Sequence, residues 1–240
     1  MNIKITISYD GTDFNGSQIQ PDRVTVQSKI HDVFNLLNIE TKTDFSGRTD
    51  KGVHAFRQVI SCKIPTFWND TKKLKENMNK LLPQSITIRS IVSVDELFHA
   101  RFSAKKREYR YLISKKQLSP FNHRYLAYYD NINKSKINKA IELFRGIHDF
   151  EYFSKKGSEP VSTIREIFDI KFYEYNEMYV LRFKANSYLR SQIRMMVDFI
   201  MKISSGKLSC EDLEKQLKKE KLISWTLAPS NGLYLSKISY

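Results

Sequence analysis

The strongest restriction on the fold is an order of elements that occurs twice along the chain. Residues 2–9, NIKITISY, alternate apolar and polar, the period of a half-buried strand. Thr25 then reads as a helix N-cap. Val26, Ile30, Val33, Phe34 and Leu37 follow it at i, i+4, i+7, i+8 and i+11, one apolar stripe. Two β-prone segments, 39–45 and 56–62, flank a glycine-containing loop. Leu74, Met78, Leu81 and Leu82 mark a second helix, capped at Asp70 or Thr71 and stopped by Pro83. Residues 86–94 are a further strand, so the order is β-α-β-β-α-β, the ferredoxin-like arrangement.

The second half runs through the same order without repeating the sequence. Residues 108–114 (EYRYLIS) read as a strand, and Ile137, Ala140, Ile141 and Phe144 line a helix ended by Gly146. Residues 164–175 and 178–185 form a hairpin around Tyr175-Asn176-Glu177. Leu189, Ile193, Met196, Val197 and Ile200 line a long helix, a short helix starts at the Ser209 cap, and residues 233–239 close as a strand. The class is α+β. No low-complexity linker divides the chain, and the charge run at 103–107 sets the expected halves at 1–104 and 105–240.

The chain has 240 residues, 41% of them hydrophobic, and carries 40 Lys and Arg against 26 Asp and Glu, a formal charge of +14. That excess calls for an anionic partner, nucleic acid or membrane surface. No apolar run approaches the roughly 20 residues of a membrane span. The opening Met1-Asn2-Ile3-Lys4-Ile5 lacks the apolar core of a signal peptide. Cys62 and Cys210 are too few for a disulfide framework and have no metal-ligand spacing, so a cytoplasmic protein with reduced thiols is expected.

Three stretches hold the candidate chemistry. Ser46-Gly47-Arg48-Thr49-Asp50-Lys51-Gly52-Val53-His54-Ala55 lies in the loop between two strands, where scaffolds present reactive groups. Gly47 and Gly52 are read as turn residues, and Arg48 as a partner that keeps Asp50 ionised. On local chemistry alone this is either a structural turn or an activated carboxylate. It has neither phosphate-loop nor metal spacing, and no proton-transfer role falls to His31, His54, His99 or His123. The second stretch, HARFSAKKREYRY at 99–111, interleaves Arg101, Lys105, Lys106, Arg107 and Arg110 with Tyr109 and Tyr111. It suits RNA, cations for phosphates and rings for unpaired bases, or equally an edge strand with buried tyrosines. In the third, Arg190, Arg194 and Asp198 fall at i, i+4 and i+8, a polar row that contains an ordinary Arg194–Asp198 helix pair or something more.

SGRTDKGVHA resembles the catalytic loop of the TruA family of tRNA pseudouridine synthases, whose GRTD-x-GVHA pattern carries an Asp nucleophile. The likeness extends over nearly the whole chain. HARFSA and Arg107-Glu108-Tyr109-Arg110-Tyr111 are similar to the family's HARFSA and R-x-Y-R-Y segment. Residues 188–197, YLRSQIRMMV, are similar to its F-L-x-x-M-V-R-x-x-V helix. Residues 228–235, APSNGLYL, are similar to its closing A-P-x-x-G-L-Y-L, and Gly146 to Phe150 to its G-x-H-D-F turn, where His148 is structural.

The resemblance implies a pseudouridine synthase fold, two such halves sharing a mixed central sheet with a basic cleft between them. It implies Asp50 as nucleophile, with Arg48 and Arg194 holding it ionised. Tyr109 packs against the target uridine, joined in substrate binding by Arg110, Gly232 and Leu233. Lys105, Lys106, Arg107 and Arg190 are the expected phosphate contacts. The reaction needs no cofactor or metal. The implied substrate is tRNA at positions 38, 39 and 40 of the anticodon stem-loop, lying across a homodimer. Whether Asp50 attacks C6 of the base or C1′ of the ribose stays open. Ser17, Asn231, Asp198 and the pair Ser191-Gln192 depart from the family's usual residues. The competing readings are an RNA-binding protein without catalysis, which charge and aromatics fit equally, and a synthase of another family acting on ribosomal RNA.

Overall fold

The computed structural model describes residues 1–157 and 161–240. In chain order the elements are β1 (Asn2–Tyr9), α1 (Val26–Leu36), β2 (Asp44–Phe45), β3 (His54–Lys63), α2 (Thr71–Leu81), β4 (Ile86–Ser93), β5 (Lys106–Ser114), β6 (Ala127–Tyr128), α3 (Lys134–Leu143), β7 (Gly146–Asp149), β8 (Ile164–Tyr175), β9 (Met178–Ala185), α4 (Gln192–Ser204), α5 (Cys210–Leu217) and β10 (Leu233–Ser239). They group into two compact units, Met1–Lys105 with Tyr234–Tyr240, and Lys106–Leu233. No described helix is long and apolar enough to cross a membrane.

In the first unit β1 lies between β3 and β4, antiparallel to both. The closing strand β10 runs parallel to β3, with Tyr234 beside His54 and Leu235 beside Ala55. Alternation puts Ile3, Ile5 and Ile7 on one face of β1, all fully buried. Val26, Ile30, Val33 and Phe34 of α1 and Leu74 and Met78 of α2 are buried too. Each such side chain contributes about 1.5–3 kcal/mol on leaving water. The opposite face of β1 carries Lys4, Thr6 and Ser8. Thr25 and Ser28 form a capping box at the start of α1, through bonds of 3.0 and 3.1 Å. Asp70, not Thr71, caps α2, accepting from the Lys72 and Lys73 amides.

The strand expected over 39–45 shrinks to Asp44–Phe45. The chain leaves α1 through Asn38 at φ +55°, and the Ile39 amide bonds back to the Phe34 carbonyl at 2.8 Å. Residue 39 thus closes the helix and is lost to the sheet.

In the second unit the hairpin β8–β9 forms as expected, with Asn176 at φ +50° in its turn. β9 pairs with β5 and β8 with β7, all antiparallel. β7 was expected to be a turn. It pairs with β8 at the edge, Gly146 supplying φ +95° as the chain enters. Phe144, Phe150, Phe153 and Phe199 are fully buried, with successive ring centroids 5.3–6.4 Å apart. Ser209 caps α5 in a box with Asp212.

The long helix starts later than its apolar stripe suggests. Ser191 stands at φ +58°, so α4 begins at Gln192 and Arg190 lies outside it. The polar row at 190, 194 and 198 therefore reduces to Arg194 and Asp198.

Candidate active site

The Asp50 loop runs from β2 into β3 and is clasped by the segment that follows β1. The Ser17 amide donates to the Thr49 carbonyl at 3.1 Å, and the Thr49 amide donates to Ser17 Oγ at 3.0 Å. Tyr9 Oη meets Thr49 Oγ1 at 2.8 Å. Burial pushes the Tyr9 phenol up to about 12, against the lowering by its bonds to Thr49 and Gln58. The loop closes on itself through the Val53 amide, which donates to the Asp50 carbonyl at 3.1 Å with Gly52 at φ +75°.

Two glycines allow the clasp. A Cβ on Gly11 would stand 2.0 Å from the Val53 carbonyl oxygen. One on Gly16, itself at φ +97°, would stand 2.8 Å from the Thr49 carbonyl oxygen. Neither position accepts a side chain without moving backbone. Gly47, read as a turn residue, needs no positive φ. Its carbonyl accepts from Gln58 Nε2 at 2.7 Å, which ties the loop's entry to β3. Thr49 is buried, Asp50 half-buried and Arg48 exposed. No ion pair joins Arg48 to Asp50 in this structure. The side chains of Arg48, at the exposed rim, and Thr49, in the clasp, leave the loop in different directions.

His54, at the start of β3, is 1% exposed. Its Nδ1 accepts from the Gly11 amide at 3.0 Å. The same nitrogen stands 3.1 Å from Asp10 Oδ1, but having accepted from Gly11 it has no proton to give. Asp10 is satisfied instead by the Thr12 amide and hydroxyl. The His54 ring stacks on Tyr234 at 4.6 Å, and Phe56 stacks on it at the same distance. Tyr9, Gly11 and Gly16 are thus neighbours of the loop that sequence reasoning missed, and Ser17 and His54 have structural contacts there that it did not foresee. The signal for Gly11 and Gly16 was the run of turn residues at 10–16, which read as an ordinary loop.

In the second unit Tyr109 and Tyr111 share the buried side of β5 and Arg110 the other, as alternation requires. Tyr109 meets Tyr188 edge-on at 5.3 Å. Arg110 pairs with Glu108 at 3.2 Å. Arg194 donates through Nε to the Ala228 carbonyl at 2.8 Å, and the Ala228 amide returns a bond to the Arg194 carbonyl at 3.0 Å. Tyr111 donates to the Pro229 carbonyl at 2.9 Å. Burial, first, raises its phenol well above the ordinary value, while the Arg194 charge pulls the other way. Residues 228–229 are therefore strapped to both α4 and β5. Gly232 lets the strap pass, since a Cβ there would stand 2.9 Å from the Leu112 carbonyl oxygen and 3.1 Å from Ala127 Cβ. Leu233 is buried at the start of β10.

The expected phosphate contacts have varied surroundings. Arg107 is 8% exposed and donates to the Asn186 carbonyl at 2.9 Å. Lys106 lies over the Phe168 ring at 5.3 Å, and exposed Arg190 donates to the Lys156 carbonyl. Lys105, also exposed, bonds through its amide to Ser239.

A family model described as tRNA pseudouridine synthase matches residues 5–103 and 140–240. The chain is 39% identical over 240 residues to tRNA pseudouridine synthase A of Campylobacter jejuni strain RM1221, covering 100% of both. It is 39% identical over 234 residues to that of Wolinella succinogenes, covering 98% of this chain and 92% of the relative. Against the Helicobacter pylori protein of the same name it is 36% identical over 241 residues, with 99% and 98% covered. The chain belongs to the tRNA pseudouridine synthase family.

As a tRNA pseudouridine synthase it is an isomerase, and its departures from the family's usual residues have structural tasks. Ser17 supplies the oxygen that accepts from Thr49. Asn231 donates through Nδ2 to the His123 and Leu126 carbonyls at 2.6 and 2.8 Å, which an ionised acid there cannot do. Asp198 pairs with Lys202 at 2.8 Å and accepts from the Thr226 hydroxyl at 2.5 Å. It holds the segment after α5 to α4, so the expected helix pair of Asp198 is made with Lys202.

Proposed function

We propose that this synthase converts uridine to pseudouridine at positions 38, 39 and 40 of the tRNA anticodon stem-loop, with Asp50 as covalent nucleophile. The observation that carries the reading is the braced loop, whose backbone is fixed on both sides of a half-buried carboxylate in a chain of this family. In the reaction the C1′–N1 bond breaks and a C1′–C5 bond forms. C5 loses its proton and N1 gains one, so nothing is oxidised. The base first leaves its stack at a cost of a few kcal/mol, least in a loop or at a stem end. Asp50 attacks as an ionised oxygen. Arg194 serves as the cation that keeps it ionised, with Arg48 adding positive charge from the same loop. Tyr109 packs on the base, with Arg110, Gly232 and Leu233 completing its binding.

The protein acts in the cytoplasm as a homodimer with one tRNA lying across both subunits. The family resemblance supports that assembly, and the +14 charge supports the polyanionic substrate. The test is pseudouridine mapping on unmodified tRNA incubated with purified protein. New pseudouridine confined to positions 38–40 upholds the reading, and modification elsewhere, or none, overturns it.

A further inference from the structure

The face of the first unit's sheet that carries Lys4 holds a cavity of about 350 Å³. Lys4, Arg57, Arg89 and Lys237 line it, with Thr6 and Tyr240. No acidic side chain does. The cations come from all four main strands of the unit, β1, β3, β4 and β10. Thr6 stands opposite Val59 on β3 and Ser90 on β4. Two residues beyond the Leu235–Ala55 pair, on parallel strands, come Lys237 and Arg57. Arg57, Arg89 and Lys237 are exposed.

The charges are left uncompensated here, unlike those of several lysines elsewhere on the surface. Lys63 pairs with Glu96, Lys29 with Asp32 and Lys134 with Glu174. None of the four cavity cations makes an ion pair among the described residues. Lys4 is held over the rings of Phe98 and Tyr240, at 5.7 and 5.6 Å, and the Tyr240 hydroxyl is fixed on the Ala100 carbonyl at 2.9 Å. Like charges gathered on a rigid sheet repel one another, an arrangement complemented by a polyanion. β3 connects this face to the chemistry, because the Asp50 loop leads straight into it and Arg57 follows on the same strand.

We propose that Lys4, Arg57, Arg89 and Lys237 form a phosphate-binding surface that holds the RNA backbone of the substrate, in addition to the basic run at residues 105–107. The inference rests on the tRNA-modifying function proposed above and assigns its electrostatic contacts. Each phosphate neutralised releases counterions, so each contact adds about one to the salt slope of binding.

The experiment compares wild type with Arg57→Gln/Arg89→Gln/Lys237→Gln in tRNA binding over a range of salt. The variant's slope of log affinity against log salt should fall by about three. Affinity at ~0.1 M salt should drop roughly five- to eightfold per contact. Single-turnover rate at saturating tRNA should stay within ~2-fold, as for lost uniform binding. The melting temperature should hold or rise, because self-repulsion is relieved, and single Lys237→Gln gives a milder version of the same change. An unchanged slope with product formed by both proteins overturns the surface alone. A lowered slope with product formed by neither upholds the surface and overturns the catalytic reading. If the slope is unchanged and the variant instead alters the sedimentation of free protein, the face is an interface between copies and the proposal fails.

Discussion

The Asp50 loop and the Arg194 helix hold their charged groups by different means. Around Asp50 the support is close backbone packing, helped by the Ser17 hydroxyl. Ser17 and Thr49 exchange two bonds, and Gly11 and Gly16 admit carbonyls where a side chain would collide. Around Arg194 the support is a helix and a strap, with one Nε–H on the Ala228 carbonyl and the Ala228 amide returned to residue 194. The first arrangement leaves the loop backbone little freedom and tolerates little change in the residues behind it. The second places a long side chain on a regular element, where replacing that side chain leaves the element intact. A mutation beside Asp50 should therefore damage structure and rate together, and one at Arg194 should damage rate far more than structure.

The largest effects should come from forcing a side chain into the clasp. Gly11→Ala must displace the Val53 carbonyl, and Gly16→Ala must also hold a strained positive φ, which costs of order 1–3 kcal/mol. Both should lower the melting temperature and abolish measurable turnover. Full activity in either variant would refute the rigid clasp. Arg194→Met should lower the single-turnover rate on the order of 10²-fold or more through loss of a preorganised charge, with only a modest fall in melting temperature from the lost bond to the Ala228 carbonyl. Asp198→Asn should leave that rate close to wild type, since Asp198 is engaged by Lys202 and Thr226. Equal damage from the two would place Arg194 in a purely structural network.

A smaller loss is expected from Ser17→Ala, which leaves the buried Thr49 amide without its acceptor at about 1–3 kcal/mol. Tyr9→Phe should have the mildest effect at neutral pH, about 1 kcal/mol for one hydroxyl bond. Its pH dependence is more telling. The Tyr9 phenol lies at about 12 in the folded protein against about 10 unfolded, so the folded state retains the proton more tightly. That contribution is fully present below pH 10 and is lost as pH rises through 12. The phenylalanine variant should lose stability less steeply than wild type across that window in denaturant melts. Parallel curves would show that Tyr9 is not the group responsible.

The periodic parts of the fold were legible in the sequence. The stripe from Val26, the Asp70 and Ser209 caps and the hairpin at 164–185 each follow from local chemistry, and local bonds realise them. The failures came where a single residue's backbone decides the outcome. Ser191 at φ +58° delays α4 past Arg190, and Asn38 at φ +55° turns Ile39 back onto α1. Neither residue announces a left-handed conformation as glycine does. The site divides in the same way. The loop string marked Asp50, and local spacing suggested an Arg48–Asp50 pair that the structure does not form. The clasp was hidden because Gly11, Gly16 and Ser17 act through contacts with residues more than thirty positions away.

The central claim is that Asp50 is the reacting group of a loop built to hold it still. Asp50→Asn keeps the shape of the side chain and removes its ionised oxygen. Single-turnover pseudouridine formation and tRNA affinity should be measured on this variant beside wild type. The account predicts no detectable pseudouridine, with affinity and melting temperature near those of wild type. Turnover at a near wild-type rate would contradict it.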